Sequence, residues 1–296
     1  MKKYNTAIIG LGNIGFKLGL DPKVKKTFSH YHAYENNKNT KLVAAVEIDK
    51  KAKEVFNSHS KVPVYEDLHS LFENHKIDII SVCTPPHTHY KILLEIINYK
   101  PKHIFCEKPL ADSLDNIKKI YEVVSICKIG FSVNHARRWS EIYIESKELV
   151  QSGIIGEIRS IIVKYTGGAR NIGTHALDIA RFIINDPKPK IIDGLITKKE
   201  NKTNNINDPD VCGWALFDNN VYVALVSVGD RFDKIFEIEV IGSDGMIKIF
   251  NDNCLQLVKL IESNNFSHYR EPELIETKEY TIDNHFDNAL NNIIDS

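Results

Sequence analysis

A chain of 296 residues with 38 Lys and Arg against 39 Asp and Glu carries a net charge of −1, so it offers no basic field for nucleic acid or an acidic membrane surface. Its 43% hydrophobic content is ample for one large or two ordinary domains, and no apolar run approaches the roughly 18 residues a bilayer span requires. The five cysteines are scattered, odd in number and lack a Cys-x-x-Cys pair, which argues against a disulfide framework or zinc site and fits free thiols in a reducing cytoplasm.

The N-terminus shows no signal-peptide pattern and enters a strand over Tyr4–Ile9. Gly10-Leu11-Gly12-Asn13-Ile14-Gly15 follows, and then Phe16-Lys17-Leu18 at the expected start of a helix. Glycines at these spacings permit a tight turn and close approach of a pyrophosphate, while the helix N-terminus favours phosphate. That context predicts dinucleotide binding by Gly10, Gly12, Asn13, Ile14 and Gly15. Residues 20–29, with Lys23, Lys25 and Lys26, read as an insertion: a solvated loop, or a flap near the cofactor phosphates. His30 opens an amphipathic helix in which it and His32 point to different faces, so no metal site is expected there.

Lys41–Val46 is the second strand, and Glu47 ends it. A carboxylate at this position accepts adenosine ribose hydroxyls and repels a 2′-phosphate, favouring NAD over NADP. Ile48 beside it supplies no phosphate ligand. Glu47 lies farther from Gly15 than the usual ~20 residues, as the insertion explains. Asp49 is a competing candidate, or else the cap of a helix over 50–57.

Ile77–Cys83 forms a further strand that runs into Thr84-Pro85-Pro86-His87-Thr88-His89. A loop there would lie over the nicotinamide half of a dinucleotide, making Thr84, Pro85 and His89 candidate contacts. A helix-start histidine bonding locally is the alternative for His89. Next, His103-Ile104-Phe105-Cys106 ends abruptly in Glu107-Lys108-Pro109. Lysine and glutamate resist full burial, and ligands of open α/β sheets bind beyond strand C-termini. Pro109 also makes a cis bond accessible before it.

The strand–helix alternation predicts a doubly wound parallel sheet. A dinucleotide-binding Rossmann domain is expected over 1–125, with the strand at 129–133 remaining in its sheet. The expected partner domain, 126–296, is a C-terminal α+β unit with a largely antiparallel open sheet. It opens with Arg137-Arg138-Trp139, then a helix over 141–152 and a strand over 157–166. A glycine-rich approach leads through Asn171 and Gly173 to His175 and Asp178, three apart on one helix face. Strands follow over 190–197, 211–217, 221–228, 235–241, 246–250 and 254–260, and 198–210 reads as a polar loop.

These residues together resemble the Gfo/Idh/MocA oxidoreductases, the glucose–fructose oxidoreductase and inositol dehydrogenase group. The markers are the glycine fingerprint at 10–15, Thr84–His89, Glu107-Lys108-Pro109, and Gly173-Thr174-His175 with Asp178. The resemblance implies NAD(P)-dependent hydride transfer at a hydroxyl or keto carbon of a sugar, nucleotide-sugar or cyclitol, and a C-terminal sheet that forms homodimers or homotetramers. It implies Lys108 at the reacting oxygen and nicotinamide ribose, with Glu107 beside the cofactor, and His175 as acid/base. Arg137, Trp139 and Asn171 join Lys108 and His175 as expected substrate contacts.

Two departures stand out. Asn171 occupies the position where many members carry an aspartate, and asparagine supplies no charge to an imidazolium. The resemblance also implies another helix beyond the one over 284–295, within which this chain stops. The rival readings are a dinucleotide- and sugar-binding regulator without turnover, and a biliverdin-reductase or dihydrodiol-type reductase.

Overall fold

The structure is a computed structural model and describes residues 3–24, 27–198, 202–203, 206–229, 233–281 and 285–296. It divides into two compact units, one running to Ala136 and taking in the C-terminal helix, the other beginning at Arg137. The junction thus falls after 136, where 125 was expected, and the last helix groups with the first unit.

In the first unit, strands β1 (Tyr4–Ile9), β2 (Thr40–Val46), β3 (Val64–Tyr65), β4 (Ile79–Val82), β5 (His103–Glu107) and β6 (Gly130–Asn134) form one parallel sheet in the order β3-β2-β1-β4-β5-β6. The central strands are apolar on both faces, as a sheet covered by helices on each side demands, and Ile8, Ile80 and Ile104 are fully buried. Helices α1 (His30–Asn36), α2 (Lys50–Asn57), α3 (Leu68–Asn74), α4 (Pro86–Asn98) and α5 (Leu114–Cys127) connect the strands. Ser29, Asp49, Asp67 and Ser113 cap α1, α2, α3 and α5 by accepting a backbone N–H with their side chains.

The helix expected directly after Gly15 is interrupted. One turn and a short 3-10 segment (Lys17–Leu20) follow the glycines, and the chain then leaves and returns. On its return the N–H groups of His30 and Tyr31 donate to the carbonyls of Ile14 and Gly15, at 3.1 and 3.0 Å. Those are the bonds that positions four residues on, Leu18 and Gly19, would make in an unbroken helix, so His30 and Tyr31 take their places in the helical ladder. Lys25 and Lys26 of the expected flap lie outside the described residues.

Helix α8 (His285–Asp295) buries Phe286, Ala289, Leu290 and Ile293, the i, i+3, i+4, i+7 stripe of an amphipathic helix. Its Phe286 ring meets the His30 ring edge-on at 5.2 Å between centroids.

The second unit holds α6 (Glu141–Gln151), β7 (Ile158–Tyr165), α7 (Thr174–Ile183), β8 (Pro189–Lys198), β9 (Lys202–Thr203), β10 (Ile206–Asn207), β11 (Asp210–Phe217), β12 (Tyr222–Ser227), β13 (Phe236–Gly242), β14 (Gly245–Phe250), β15 (Cys254–Glu262) and β16 (Arg270–Glu279). Eight of these strands form a sheet in the order β16-β15-β14-β13-β7-β12-β11-β8, antiparallel except where β7 meets β12. Strands β13 and β14 alternate buried and half-buried residues, and their inward set packs with Ile142, Tyr143, Ile179 and Ile183 of α6 and α7. Edge strand β8 is exposed throughout, including Ile191, Ile192, Leu195 and Ile196. The loop expected over 198–210 contains β9 and β10 as a short antiparallel pair, while 199–201 and 204–205 lie outside the described residues.

Because Phe286 is 2% exposed and seals α8 onto its own unit, Phe286→Ala is expected to cost about 3–5 kcal/mol, read from the urea midpoint. A loss under about 1 kcal/mol would show that α8 contributes little to that core.

Candidate active site

In the strand order of the first sheet, β1 stands between β2 and β4, and the chain reverses its direction of travel there. Loops leaving the C-terminal ends of β1 and β4 diverge at such a point and open a crevice. Gly10 turns the chain at φ +91°, and a Cβ on it would come within 3.0 Å of the Cys83 carbonyl and of Thr84 Cγ2. The two loops therefore touch backbone to backbone. A Cβ on Gly15 would fall 2.1 Å from the Gly10 oxygen, so the glycine turn closes only without a side chain there. At Gly12 a Cβ would project into open space, while its carbonyl accepts from the Phe16 and Lys17 N–H groups.

Glu47 folds back over this turn. Its carboxylate accepts from the Leu11 N–H at 2.6 Å and from the Asp49 N–H at 2.8 Å. The Asp49 carboxylate is committed to the Ala52 N–H as the cap of α2, so of the two acids it is Glu47 that lies at the glycine turn. Ile48 points outward, 84% exposed. Asn13 and Ile14 complete the turn through their carbonyls, which accept from Leu18 and His30.

Lys108 follows β5, one strand beyond β4, on the same C-terminal edge of the parallel sheet. Its bond to Pro109 is cis. Thr84 hydroxyl accepts from Thr88, and Pro85 precedes the first turn of α4. His89 is fully buried and bonds locally, the alternative left open for it: its Nε2 lies 2.7 Å from the Thr84 carbonyl and its Nδ1 3.2 Å from that of Pro109. Burial lowers its pKa, against the pull of those carbonyls. It pins the loop after β4 to the loop after β5. Glu107, expected to face the cofactor, turns its carboxylate inward to His30 Nε2 at 3.0 Å and Asn134 Nδ2 at 2.6 Å. Burial opposes its ionisation, yet these hydrogen bonds and the neighbouring Lys108 charge hold its pKa below the ordinary value.

In the second unit, β7 delivers the chain to Gly167 and Gly168, both at positive φ. A Cβ on Gly168 would strike the Asp208 carboxylate, which accepts the Arg170 N–H at 2.7 Å. Residues Ala169–Gly173 then form a π-helical turn, closed by the Gly173 N–H on the Gly168 carbonyl at 3.0 Å, and α7 continues from it. Such widened turns occur often at functional sites. Asn171 is half-buried on this turn, and His175 is buried in the first turn of α7, 9% exposed. Tyr165 supports the turn from beneath Gly173 and donates its hydroxyl to the Val211 carbonyl at 2.7 Å.

The expected substrate contact Arg137 is engaged otherwise. Its guanidinium binds the Asp252 carboxylate through two nitrogens at 2.9 and 3.0 Å and lies 3.8 Å from the Phe236 ring centroid. Tyr143 donates to the same carboxylate. Trp139 is half-buried in the 3-10 turn Ala136–Trp139. Asp178 shares a helix face with His175, but its carboxylate receives Arg138, which also reaches Asp186 at 2.6 Å. Sequence reading noted Arg138 without a role and missed Asp186 and Asp252, whose partners lie 48 and 115 residues away with no local pattern. Among the described residues no group of three or more His, Cys, Asp or Glu could hold a metal ion, and no helix is long and apolar enough to cross a membrane.

A parallel sheet with a glycine turn at its point of reversal and an acid at the end of the second strand defines a dinucleotide-binding Rossmann fold. Residues 4–135 match the Gfo/Idh/MocA family model, described as an oxidoreductase family with an NAD-binding Rossmann fold. It is 26% identical to an oxidoreductase of Formosa agariphila over 93% of this chain and 88% of that one. It is also 26% identical to the myo-inositol 2-dehydrogenase of Thermotoga maritima, over 64% of this chain and 60% of the relative. Among solved structures, a Gal80p super-repressor mutant of Saccharomyces cerevisiae superposes with a TM-score of 0.78 at 17% identity, covering 99% of this chain and 83% of that one, a likeness of fold.

The Arg137–Asp252 pair yields a pH prediction. Burial raises the Asp252 pKa, but the Arg137 charge and the hydrogen bonds outweigh it, so the net shift is downward. A depressed carboxyl stabilises the fold above its unfolded value of about 3.9, and this contribution is lost as pH falls through the folded value. The side chains are 20% and 23% exposed, so Asp252→Asn should cost roughly 2–3 kcal/mol at pH 7, less than the ~3–5 of a fully dry pair. Thermal unfolding from pH 7 to 2.5 should show wild type and variant converging at the acidic end. Parallel curves would contradict the assignment.

Proposed function

We propose that this oxidoreductase uses NAD to interconvert a hydroxyl and a keto carbon on a sugar, nucleotide-sugar or cyclitol. The observation that carries the reading is the convergence of the Gly10–Gly15 turn, Glu47 and the loop after β4 at the sheet's point of reversal, with Lys108 on the same edge. The open space beside the Gly12 Cα suits a pyrophosphate, and the Glu47 carboxylate suits ribose hydroxyls. Gly10, Gly12, Asn13, Ile14 and Gly15 would hold the phosphates, and Thr84 and Pro85 would line the nicotinamide end. When bound, the nicotinamide supplies or accepts the hydride.

This chain's own residues manage the proton and the oxygen. In oxidation, His175 takes the hydroxyl proton, and in reduction it returns that proton to the nascent alkoxide. The Lys108 ammonium hydrogen-bonds the reacting oxygen and stabilises the charge that develops on it. Asn171 orients substrate as a neutral hydrogen-bonding partner. Inositol dehydrogenases among the relatives support the polyol class, and the free thiols suit a cytoplasmic setting. The exposed isoleucines and leucine of β8 support a homodimer or homotetramer, testable by light scattering after gel filtration, where a monomer mass would reject it.

Assays with NAD and a panel of sugars, nucleotide-sugars and cyclitols should find a substrate that reduces the cofactor. His175→Ala should lower kcat/KM on it by about 10²–10⁴. A Lys108→Ala, His175→Ala double variant as fast as wild type would overturn the assignment. Tight NADH binding with no turnover across the panel would favour the regulator instead.

Cofactor choice follows from Glu47. A carboxylate fixed at the glycine turn repels a 2′-phosphate and accepts hydroxyl donors. Fluorescence titration should show NADH binding tighter than NADPH, with Glu47→Gln narrowing the difference. Tighter NADPH binding by wild type would refute it.

A further inference from the structure

A buried chain of polar groups runs from α1 to the end of β5. Tyr34 hydroxyl lies 2.6 Å from Ser81 Oγ, Ser81 Oγ lies 2.8 Å from His30 Nδ1, and His30 Nε2 lies 3.0 Å from Glu107 Oε1. Tyr34, Ser81 and His30 are each no more than 2% exposed. Burial pushes the Tyr34 phenol well above its ordinary pKa, so it keeps its proton and can donate. One assignment of protons then satisfies the chain: Tyr34 donates to Ser81, Ser81 to His30 Nδ1, and His30 Nε2–H to the carboxylate.

Asn134 completes the clamp by donating its amide to the same Glu107 oxygen at 2.6 Å. The amide oxygen of Asn134 is buried without a hydrogen-bond partner, a cost accepted because flipping the group would set that oxygen against the carboxylate. Phe105 and Phe286 flank the His30 ring at 4.7 and 5.2 Å between centroids, which fixes its orientation. The other carboxylate oxygen of Glu107 accepts the Lys108 N–H at 3.3 Å. The clamp thus ends on the backbone of the residue whose side chain the proposed reaction needs.

We propose that His30 is a positioning residue for Lys108: with Asn134 it locks the Glu107 carboxylate, and through it the direction in which β5 projects Lys108. Supporting residues of this kind hold a reactive group within a fraction of an ångström of its working position. The helical ladder resumes where His30 and Tyr31 bond to Ile14 and Gly15, and this sets the His30 ring against Phe105 of β5. The relevance of the device to catalysis rests on the role proposed above for Lys108, but its geometry can be tested without any substrate.

The test is NMR of the protein saturated with NADH after reductive ¹³C-methylation of its lysines, with the dimethyl-Lys108 signal assigned by its loss in Lys108→Arg. In wild type that signal should stand apart from the solvent-exposed lysines. His30→Leu fills the space between the two phenylalanines but donates nothing, and should move the signal toward the exposed group. His30→Gln retains a donor and should hold it near the wild-type position. Asn134→Ala removes the second donor and should act as His30→Leu does, so the test survives if one variant fails to fold. NADH affinity in the folded variants should stay within about threefold of wild type, as the glycine turn is untouched. A Lys108 signal unmoved in both His30→Leu and Asn134→Ala, or moved as far in His30→Gln as in His30→Leu, would overturn the proposal. Neither result bears on NADH binding or turnover by wild type, whose failure would instead count against the proposed function.

Discussion

A carboxylate buried at the end of a central strand must be ionised against its desolvation or not ionised at all. At Glu107 burial disfavours the charge, but the His30 and Asn134 hydrogen bonds and the Lys108 charge outweigh it and hold the carboxyl below its ordinary pKa. Much of the first unit is arranged to make this possible. β6 supplies Asn134, β4 supplies Ser81, and α1 supplies His30 and Tyr34. Helix α8 closes over the imidazole with Phe286. A charge with fewer partners would protonate, and the strand end would lose the anchor on which Lys108 stands.

The second unit shows the same economy with a different device. There the candidate base stands just after a π-helical turn that glycines at positive φ make possible, and Asp208 and Tyr165 brace that turn. Two arginines next to the junction are consumed by Asp252, Asp178 and Asp186, which fixes the entrance to α6. Arg137, Arg138 and Asp178 thus do scaffolding work close in sequence to Trp139 and His175.

What was legible beforehand was whatever a short window contains. The glycine turn, the acid at Glu47, the Glu-Lys-Pro run and the strand–helix alternation each span a few residues, and the structure places them on one edge of one sheet. The partnership of His30 with Ser81 and Glu107, at sequence separations of 51 and 77, had no such window. The interruption of the first helix hid it further, since the spacing from the glycines to His30 matches no regular pattern. Strand β16 escaped because it is almost wholly exposed and carries no alternation of apolar residues. The family resemblance implied ligand contacts for Glu107 and Arg137; within the chain the Glu107 carboxylate meets His30 and Asn134, and the Arg137 guanidinium meets Asp252.

The account depends most on Glu107 being a buried anion. Selective ¹³C labelling of the glutamate side-chain carboxyls, with Glu107→Gln used to assign the signal, reads its ionisation directly by NMR titration. The account predicts a midpoint below the ordinary glutamate value of about 4.3. A midpoint above that value would mean that desolvation wins, that the carboxyl is neutral over part of the working range, and that the clamp on Lys108 is not held by charge.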